Sequence, residues 1–267
     1  MADGNVLTNE PGENRQSRES VFEGKGPPSR ISLGLKALAR DNPWPEFGYG
    51  EIEPFFLALD ANGRGGREIV LEVIRENNIS LMLEIGSFLC GSTLQWLRAS
   101  DQLTVIGVDP WDGNWAVYIE RLALDPVMSR HVWHLTDKQV QTIVADLRRY
   151  GNFCVAMNNI RLYKQRFYPV RRRSPDALGY LHARGIVPEL IYIDAGKHRE
   201  DLEVAFKLFP KAVLCGDDWL WPDPSGVLRM QEHVKSFAAE HGFEVRASRQ
   251  TWLLMPRGSA VHEQAGG

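Results

Sequence analysis

Four short apolar runs, each stopping on a glycine or an aspartate, constrain the fold most. They are "LMLEIG" (81–86), "TVIGVD" (104–109), "ELIYID" (189–194) and "AVLCGD" (212–217). Runs this short and this uniformly apolar read as strands buried on both faces. Helical spacing separates them: "REIVLEVIRENN" (67–78), "GSTLQWLRAS" (91–100) and "REDLEVAFKLF" (199–209). Strand, loop, helix, strand in that order specifies a parallel α/β sheet. A further helix over 228–242 closes on Gly242. The stretch 243–256 reads as two strands joined by a short turn. Residues 115–165 read as mainly helical, and 174–185 as a helix with Ser174 at its N-cap and Pro175 at its first position.

The chain's 267 residues, 43% hydrophobic and 24% charged, suit one large domain with a substantial core. Residues 1–30 are polar and read as a disordered or loosely docked tail. The domain is expected over 31–256, with cap segments at about 31–62 and 110–165 and a flexible tail over 257–267. A net charge of −3 exerts no general pull on nucleic acid or acidic membranes. Cys90, Cys154 and Cys215 form no CxxC pair, which argues against a disulfide framework or a zinc site and suits a reducing cytosol. No apolar run approaches a membrane span, and "MADGNVLTNEPGENRQ" is unlike a signal peptide. The expected compartment is the cytoplasm.

The loop "EIGSFLCGST" (84–93) joins the first strand to its helix. Glycine there permits a tight turn, and the helix N-terminus behind it offers free N–H groups. The dinucleotide fingerprint G-x-G-x-x-G fails on the spacing of Gly86 and Gly91. The phosphate-loop spacing fits, but Ser92 stands where the lysine belongs. An E-x-G-x-x-x-G-like loop for S-adenosylmethionine remains, beside a plain tight turn with no ligand. Asp109, about twenty positions downstream at the next strand's end, suits ribose hydroxyls; its plainer role is a turn residue before Pro110.

Asp194 ends another strand, and Asp217 and Asp218 end the next. In a parallel sheet these ends share one edge, where ligands bind. Carboxylates brought together repel unless a cation or a proton offsets them. A hard divalent ion such as Mg²⁺ is the expected cation, with open positions for a substrate hydroxyl.

The segments "LEIGSFLCGST", "VIGVDPWDGNW", "LIYIDAGKHREDL" and "AVLCGDDW…GVLRM" follow one another as in class I S-adenosylmethionine-dependent methyltransferases. The chain resembles most the Mg²⁺-dependent O-methyltransferases of antibiotic sugars and their cephalosporin-hydroxylase-like relatives, over residues 65–255. "FCVAMNNIRLYKQRFYPVRRRSPDAL" (153–178) resembles that family's approach to its third core strand. The resemblance implies a Rossmann-like, seven-stranded, mostly parallel sheet with helices on both faces and a helical cap insertion. It implies that Glu84, Gly86, Ser92 and Asp109, with Ser87 and Gly91 from the same loop, hold S-adenosylmethionine, and that Ser174 approaches the adenine. It implies Asp194, Asp217 and Asp218 as ligands of Mg²⁺ or another divalent cation. The implied partner is a small-molecule hydroxyl acceptor; relatives often form dimers or tetramers, which leaves a homo-oligomer open.

One departure concerns the base. The family commonly carries a histidine soon after the single aspartate, in a D-G-x-H or D-A-G-H pattern. Here Lys197 holds that position and His198 follows, so either is the candidate proton acceptor. A lysine base needs its pKa lowered, by burial or by the metal's charge. The basic run Arg161, Lys164, Arg166, Arg171, Arg172 and Arg173 reads as a solvated helix face leading to the active-site rim rather than as an RNA-binding patch. The aromatic residues Trp44, Phe47, Tyr49, Trp111, Trp115, Tyr118 and Trp133 are shared between pocket and core. The competing functions are a metal-independent methyltransferase acting on RNA, a nucleotide-binding kinase or NTPase, and a non-catalytic binding module.

Overall fold

A computed structural model describes residues 30–46, 48–50, 52, 65–125 and 136–256. The expected tails over 1–30 and 257–267 lie outside these residues except for Arg30, as do Phe47, Trp133 and parts of both expected cap segments.

The order along the chain is α1 (Arg30–Asp41), α2 (Glu68–Glu76), β1 (Leu81–Ile85), α3 (Gly91–Ala99), β2 (Thr104–Val108), α4 (Trp115–Leu124), α5 (Asp137–Tyr150) and α6 (Asn152–Asn159). After a 3-10 turn at Arg161–Tyr163 come β3 (Phe167–Val170), α7 (Asp176–Ala183), β4 (Leu190–Ile193), α8 (Arg199–Leu208), β5 (Val213–Gly216), α9 (Arg229–His241), β6 (Phe243–Ser248) and β7 (Thr251–Pro256). The seven strands lie in the order β3-β2-β1-β4-β5-β7-β6. All pairs are parallel except those made by β7, which runs antiparallel to both neighbours. The expected mostly parallel sheet with a mixed end is what the chain forms.

Strand alternation sorts the core into two layers. Leu83, Ile85, Ile106, Val108, Ile191, Ile193 and Leu214 face α7, α8 and α9. Met82, Val105, Leu190, Tyr192 and Cys215 face α2, α3 and α6. Each such side chain, fully buried, contributes about 1.5–3 kcal/mol relative to exposure. A third cluster joins α4 and α5 through Ala116, Ile119, Ile143, Val144 and Leu147. The helical insertion thus has a core of its own, while α6 returns to cover the sheet. A capping box, Thr136 with Gln139, starts α5.

Two local expectations change. The segment from residue 31, expected only as part of a cap, opens with α1. Its buried stripe is Gly34, Leu38 and Asn42, spaced by four, with Leu35 half-buried. A glycine and an asparagine on the inward face, with Ile31 and Leu33 exposed, hide that period from a hydrophobicity count. Second, α7 begins at Asp176 with Pro175 at the N-cap, and no side chain caps it. Ser174 instead donates its hydroxyl hydrogen bond to Asp201 of α8.

The register places the site. Ile85 pairs with Val108 and with Ile193, and Ile193 pairs with Gly216. The next residues, Gly86, Asp109, Asp194 and Asp217, therefore stand level along one carboxyl edge. Their amides extend the ladder, Gly86 to Val108 O at 2.8 Å, Asp194 to Ile85 O at 2.7 Å and Asp217 to Ile193 O at 3.0 Å.

Candidate active site

A cavity of about 730 Å³ opens on that edge. Its size suits a drug-sized ligand. One wall is the glycine loop with Gly86, Ser87, Gly91 and Ser92; Asp109 and Ser174 adjoin it. The ends of β4 and β5 add Asp194, Lys197, Asp217 and Asp218, and Trp115, Tyr118 and Trp221 complete the lining. Ten of the twelve expected site residues line this cavity; Glu84 and His198 do not.

Gly86 is irreplaceable on geometry. Its φ is +92°, and a Cβ there would lie 1.8 Å from the Asp194 carbonyl oxygen. The loop then turns through left-handed Phe88 (φ 45°) and Cys90 (φ 62°) into α3, presenting the helix N-terminus to the cavity. Asp109 locks this loop: its Oδ2 accepts from Phe88 N at 3.0 Å and its Oδ1 from Trp111 N at 2.7 Å. Trp111 returns an indole bond to Phe88 O at 2.9 Å. Burial pushes the Asp109 carboxyl up, and the two amides pull it back. Each carboxylate oxygen accepts more than one hydrogen bond, so this strut role is compatible with a ligand contact.

Two expected site residues stand elsewhere. Glu84 is 1% exposed and off the cavity wall, on the sheet face that carries Met82. Strand alternation turns it toward α3, where Thr93 Oγ1 and Trp96 Nε1 donate to it, the latter at 2.8 Å. Burial raises its pKa, opposed by these donors. Glu84 therefore ties β1 to α3. Glu84→Ala should lower stability by about 1–3 kcal/mol by stranding both donors, with unchanged ligand affinity in the folded fraction; denaturant melts and titration calorimetry check the two halves. His198 is the exposed residue preceding α8 and does not line the cavity, whereas Lys197 does. Lys197 Nζ lies 3.5 Å from Asp218 Oδ2 and 5.5 Å from the Trp221 ring centroid.

The sequence reading missed Arg67. Its Nη2 lies 2.6 Å from Asp217 Oδ2 and 3.8 Å from Asp194 Oδ2, with the Arg67 side chain 4% exposed. Nothing in "GGREIV" signals a partner 150 positions away. About a third of the Asp194 side chain faces the cavity (31%), yet it lies deep enough that burial raises its pKa well above the usual range, with Asp217 and Asp218 adding repulsion. Burial pushes Asp218 up to about 6 against the pull of Lys197.

Carboxylate oxygens are suitable donors for Mg²⁺. The three-aspartate set nevertheless does not gather as a ligand cluster: among the described residues, the one group whose donors converge closely enough is Glu203, Glu240 and His241 on the surface. There Arg199 already holds both glutamates. In the structure Asp194 and Asp217 face Arg67, and Asp218 faces Lys197.

The basic run is not a helix face. It spans the 3-10 turn, β3 and the following loop, and its members part company. Arg166 donates to the carbonyls of Leu97, Ser100 and Leu103 at 2.8–3.1 Å. Arg171 covers Phe153, and Lys164 lies over Trp44 and Tyr49. Arg172 and Arg173 reach the cavity, Arg173 pairing with Asp112 at 2.7 Å. Trp44 and Tyr49 line a separate groove beside β3, and Trp111 is core.

No family model matches the chain, and no curated protein matches it. Solved structures do. An O-methyltransferase from Bacillus cereus in complex with SAH is 16% identical, with 88% of this chain and 92% of that one covered and a TM-score of 0.44. The O-methyltransferase TomG from Streptomyces achromogenes, involved in tomaymycin synthesis and in complex with SAM, is 15% identical, with 89% and 93% covered and a TM-score of 0.44. SAH-bound methyltransferase PaMTH1 from Podospora anserina is 12% identical, with 94% and 100% covered and a TM-score of 0.42. Likeness at this level leaves the chemistry to the cavity's own residues. Among the described residues no helix is long and apolar enough to cross a membrane.

Proposed function

We propose that the chain is an S-adenosylmethionine-dependent O-methyltransferase acting on a hydroxyl of a small molecule. The observation that carries this is one cavity with two unlike walls. The glycine loop, α3 N-terminus and Asp109 form a nucleoside-type wall; Asp194, Lys197 and Asp218, from the β4 and β5 ends, form a proton-handling wall. S-adenosylmethionine, when bound, supplies a methyl on a sulfonium and leaves as a neutral thioether. The residues that would hold it are Gly86, Ser87, Gly91, Ser92, Asp109 and Ser174. Glu84 supports them from behind.

The Asp218 carboxylate, held beside the Lys197 ammonium, takes the acceptor's hydroxyl proton as the new C–O bond forms. A carboxylate titrating near 6 is matched to base work at neutral pH. Trp115, Tyr118 and Trp221 flank this pair and give an acceptor ring flat faces to pack on. Turnover is expected to rise with pH through about 6 as Asp218 ionises, and Asp218→Asn should remove that limb from the pH–rate profile. The sign for stability is opposite. A carboxyl whose folded pKa exceeds its unfolded value of about 3.9 contributes stability below that value and loses it as pH rises through about 6.

Calorimetric titration with S-adenosylmethionine, ATP and NADH tests the proposal. Binding of S-adenosylmethionine alone is expected, followed by S-adenosylhomocysteine release in a screen of hydroxylated small molecules. Tight ATP binding with none to S-adenosylmethionine would sink it. Turnover confined to RNA oligomers would overturn the acceptor class.

A further inference from the structure

Arg67 is a built feature rather than a stray cation. Gly66 has φ +79°, and a Cβ there would lie 1.8 Å from Ser248 O at the end of β6. Gly65 O accepts from Thr251 Oγ1 at 2.7 Å and from Gln250 N at 3.2 Å. On the other side, Arg67 O accepts from Val70 N and Leu71 N as α2 begins. Ile69, Val70, Val73 and Ile74 then bury α2 against the sheet. The β6–β7 turn and α2 therefore hold Arg67 from both sides and deliver its guanidinium beneath the carboxyl edge.

The guanidinium stands in a telling place. Nη2 is within 2.6 Å of Asp217 Oδ2 and 3.8 Å of Asp194 Oδ2. A Mg²⁺ ion bridging those two carboxylates needs both oxygens at about 2.0–2.1 Å, in the space this nitrogen takes, and against its positive charge. The third carboxylate, Asp218, already faces Lys197. Asp217 is 5% exposed, so it offers little to an ion entering from the cavity. Three carboxylates against two fixed cations leave one net negative charge, modest for a site meant to capture a divalent ion from water.

We infer that Arg67 is the resident counter-cation of the acceptor-side carboxylates, a positioning residue for Asp194 and Asp217 that replaces a bridging divalent ion, so that methyl transfer in this chain is metal-independent. The turnover part rests on the transferase reading; the ion-binding part stands without it.

The test uses the full chain stripped with chelator, and Mn²⁺ as the probe. Electron paramagnetic resonance and calorimetry should show wild type binding Mn²⁺ in the millimolar range or weaker, with turnover changed less than about twofold by chelation. Arg67→Gln removes the charge and keeps the carboxylates. If folded by circular dichroism, it should bind Mn²⁺ at least about tenfold tighter, since one charge near the ion is worth more than a decade at an effective dielectric near 20; Mg²⁺ should also raise its melting temperature. Arg67→Lys, which keeps the charge, should show no gain. Stoichiometric Mn²⁺ on wild type, released by Asp217→Asn, would overturn the inference, and so would a folded Arg67→Gln that gains nothing. Should Arg67→Gln fail to fold, the wild-type measurement decides alone. A failure of S-adenosylmethionine to bind would strike the transferase reading and leave these ion measurements untouched.

Discussion

Lys197→Met should slow methyl transfer by about 10²–10⁴-fold, the range for losing a positioned proton-transfer group, while S-adenosylmethionine affinity stays near wild type. The lysine follows β4 and is no part of the glycine loop, so its loss leaves the nucleoside-type wall intact. Methionine keeps the apolar stem that packs near Trp221 and removes only the charged end. Backbone strain at the position, φ 58°, is common to both side chains. The partner responds too. Lys197 pulls the Asp218 carboxyl down, so its removal lets that carboxyl rise further above 6. Residual turnover should therefore show its rising limb at higher pH than wild type. Steady-state kinetics over pH, with calorimetry for the ligand, checks both statements. His198→Ala is the control and should change turnover less than about twofold, since exposed substitutions away from the chemistry have small effects. The reverse pattern, a silent Lys197→Met and a dead His198→Ala, would reassign the base.

Where the sequence spoke clearly, the physics was local. Strands buried on both faces must be almost wholly apolar, and "LMLEI", "TVIGV", "LIYI" and "VLCG" are. Their polar or glycine terminators are where each chain leaves the sheet. That made the shared edge of Gly86, Asp109, Asp194 and Asp217 readable in advance. What was not readable depended on direction or on distance. Glu84 sits in the right loop motif, but the alternation of side chains along β1 turns it away from the cavity. Ser174 looked like a helix cap, and its hydroxyl found Asp201 on a neighbouring helix instead. The charge balance of the carboxylates was not readable because Arg67 reaches them from a segment pinned to the last two strands. That contact exists only after the whole sheet has formed. The adjacent acids 217 and 218 signalled a need for positive charge; the sequence carried no information on whether an ion or a side chain meets it.

Gly86→Ala should be a severely damaging single-methyl change, costing more than about 3 kcal/mol. The loop glycine invites a ligand explanation, close approach of backbone to a cofactor. The structure gives a prior one. An alanine Cβ would fall 1.8 Å from the carbonyl oxygen of Asp194 and 2.6 Å from its carbonyl carbon. Both belong to backbone, so no side chain can swing aside. Relief requires β1 and β4 to part at their carboxyl ends, breaking the Asp194 N to Ile85 O bond of 2.7 Å. The positive φ adds its own cost for any residue with a Cβ. Because Asp194 itself is displaced, the acceptor wall moves along with the cofactor loop, and both ligand affinity and turnover should fall in whatever fraction stays folded. Denaturant melts measure the first loss and calorimetry with S-adenosylmethionine the second. A ligand-only role for Gly86 makes a different forecast: weakened binding with an unchanged melt. Observing that pattern would mean the β1 and β4 ends are free to separate, and the joint placement of the two walls by one sheet edge would no longer hold.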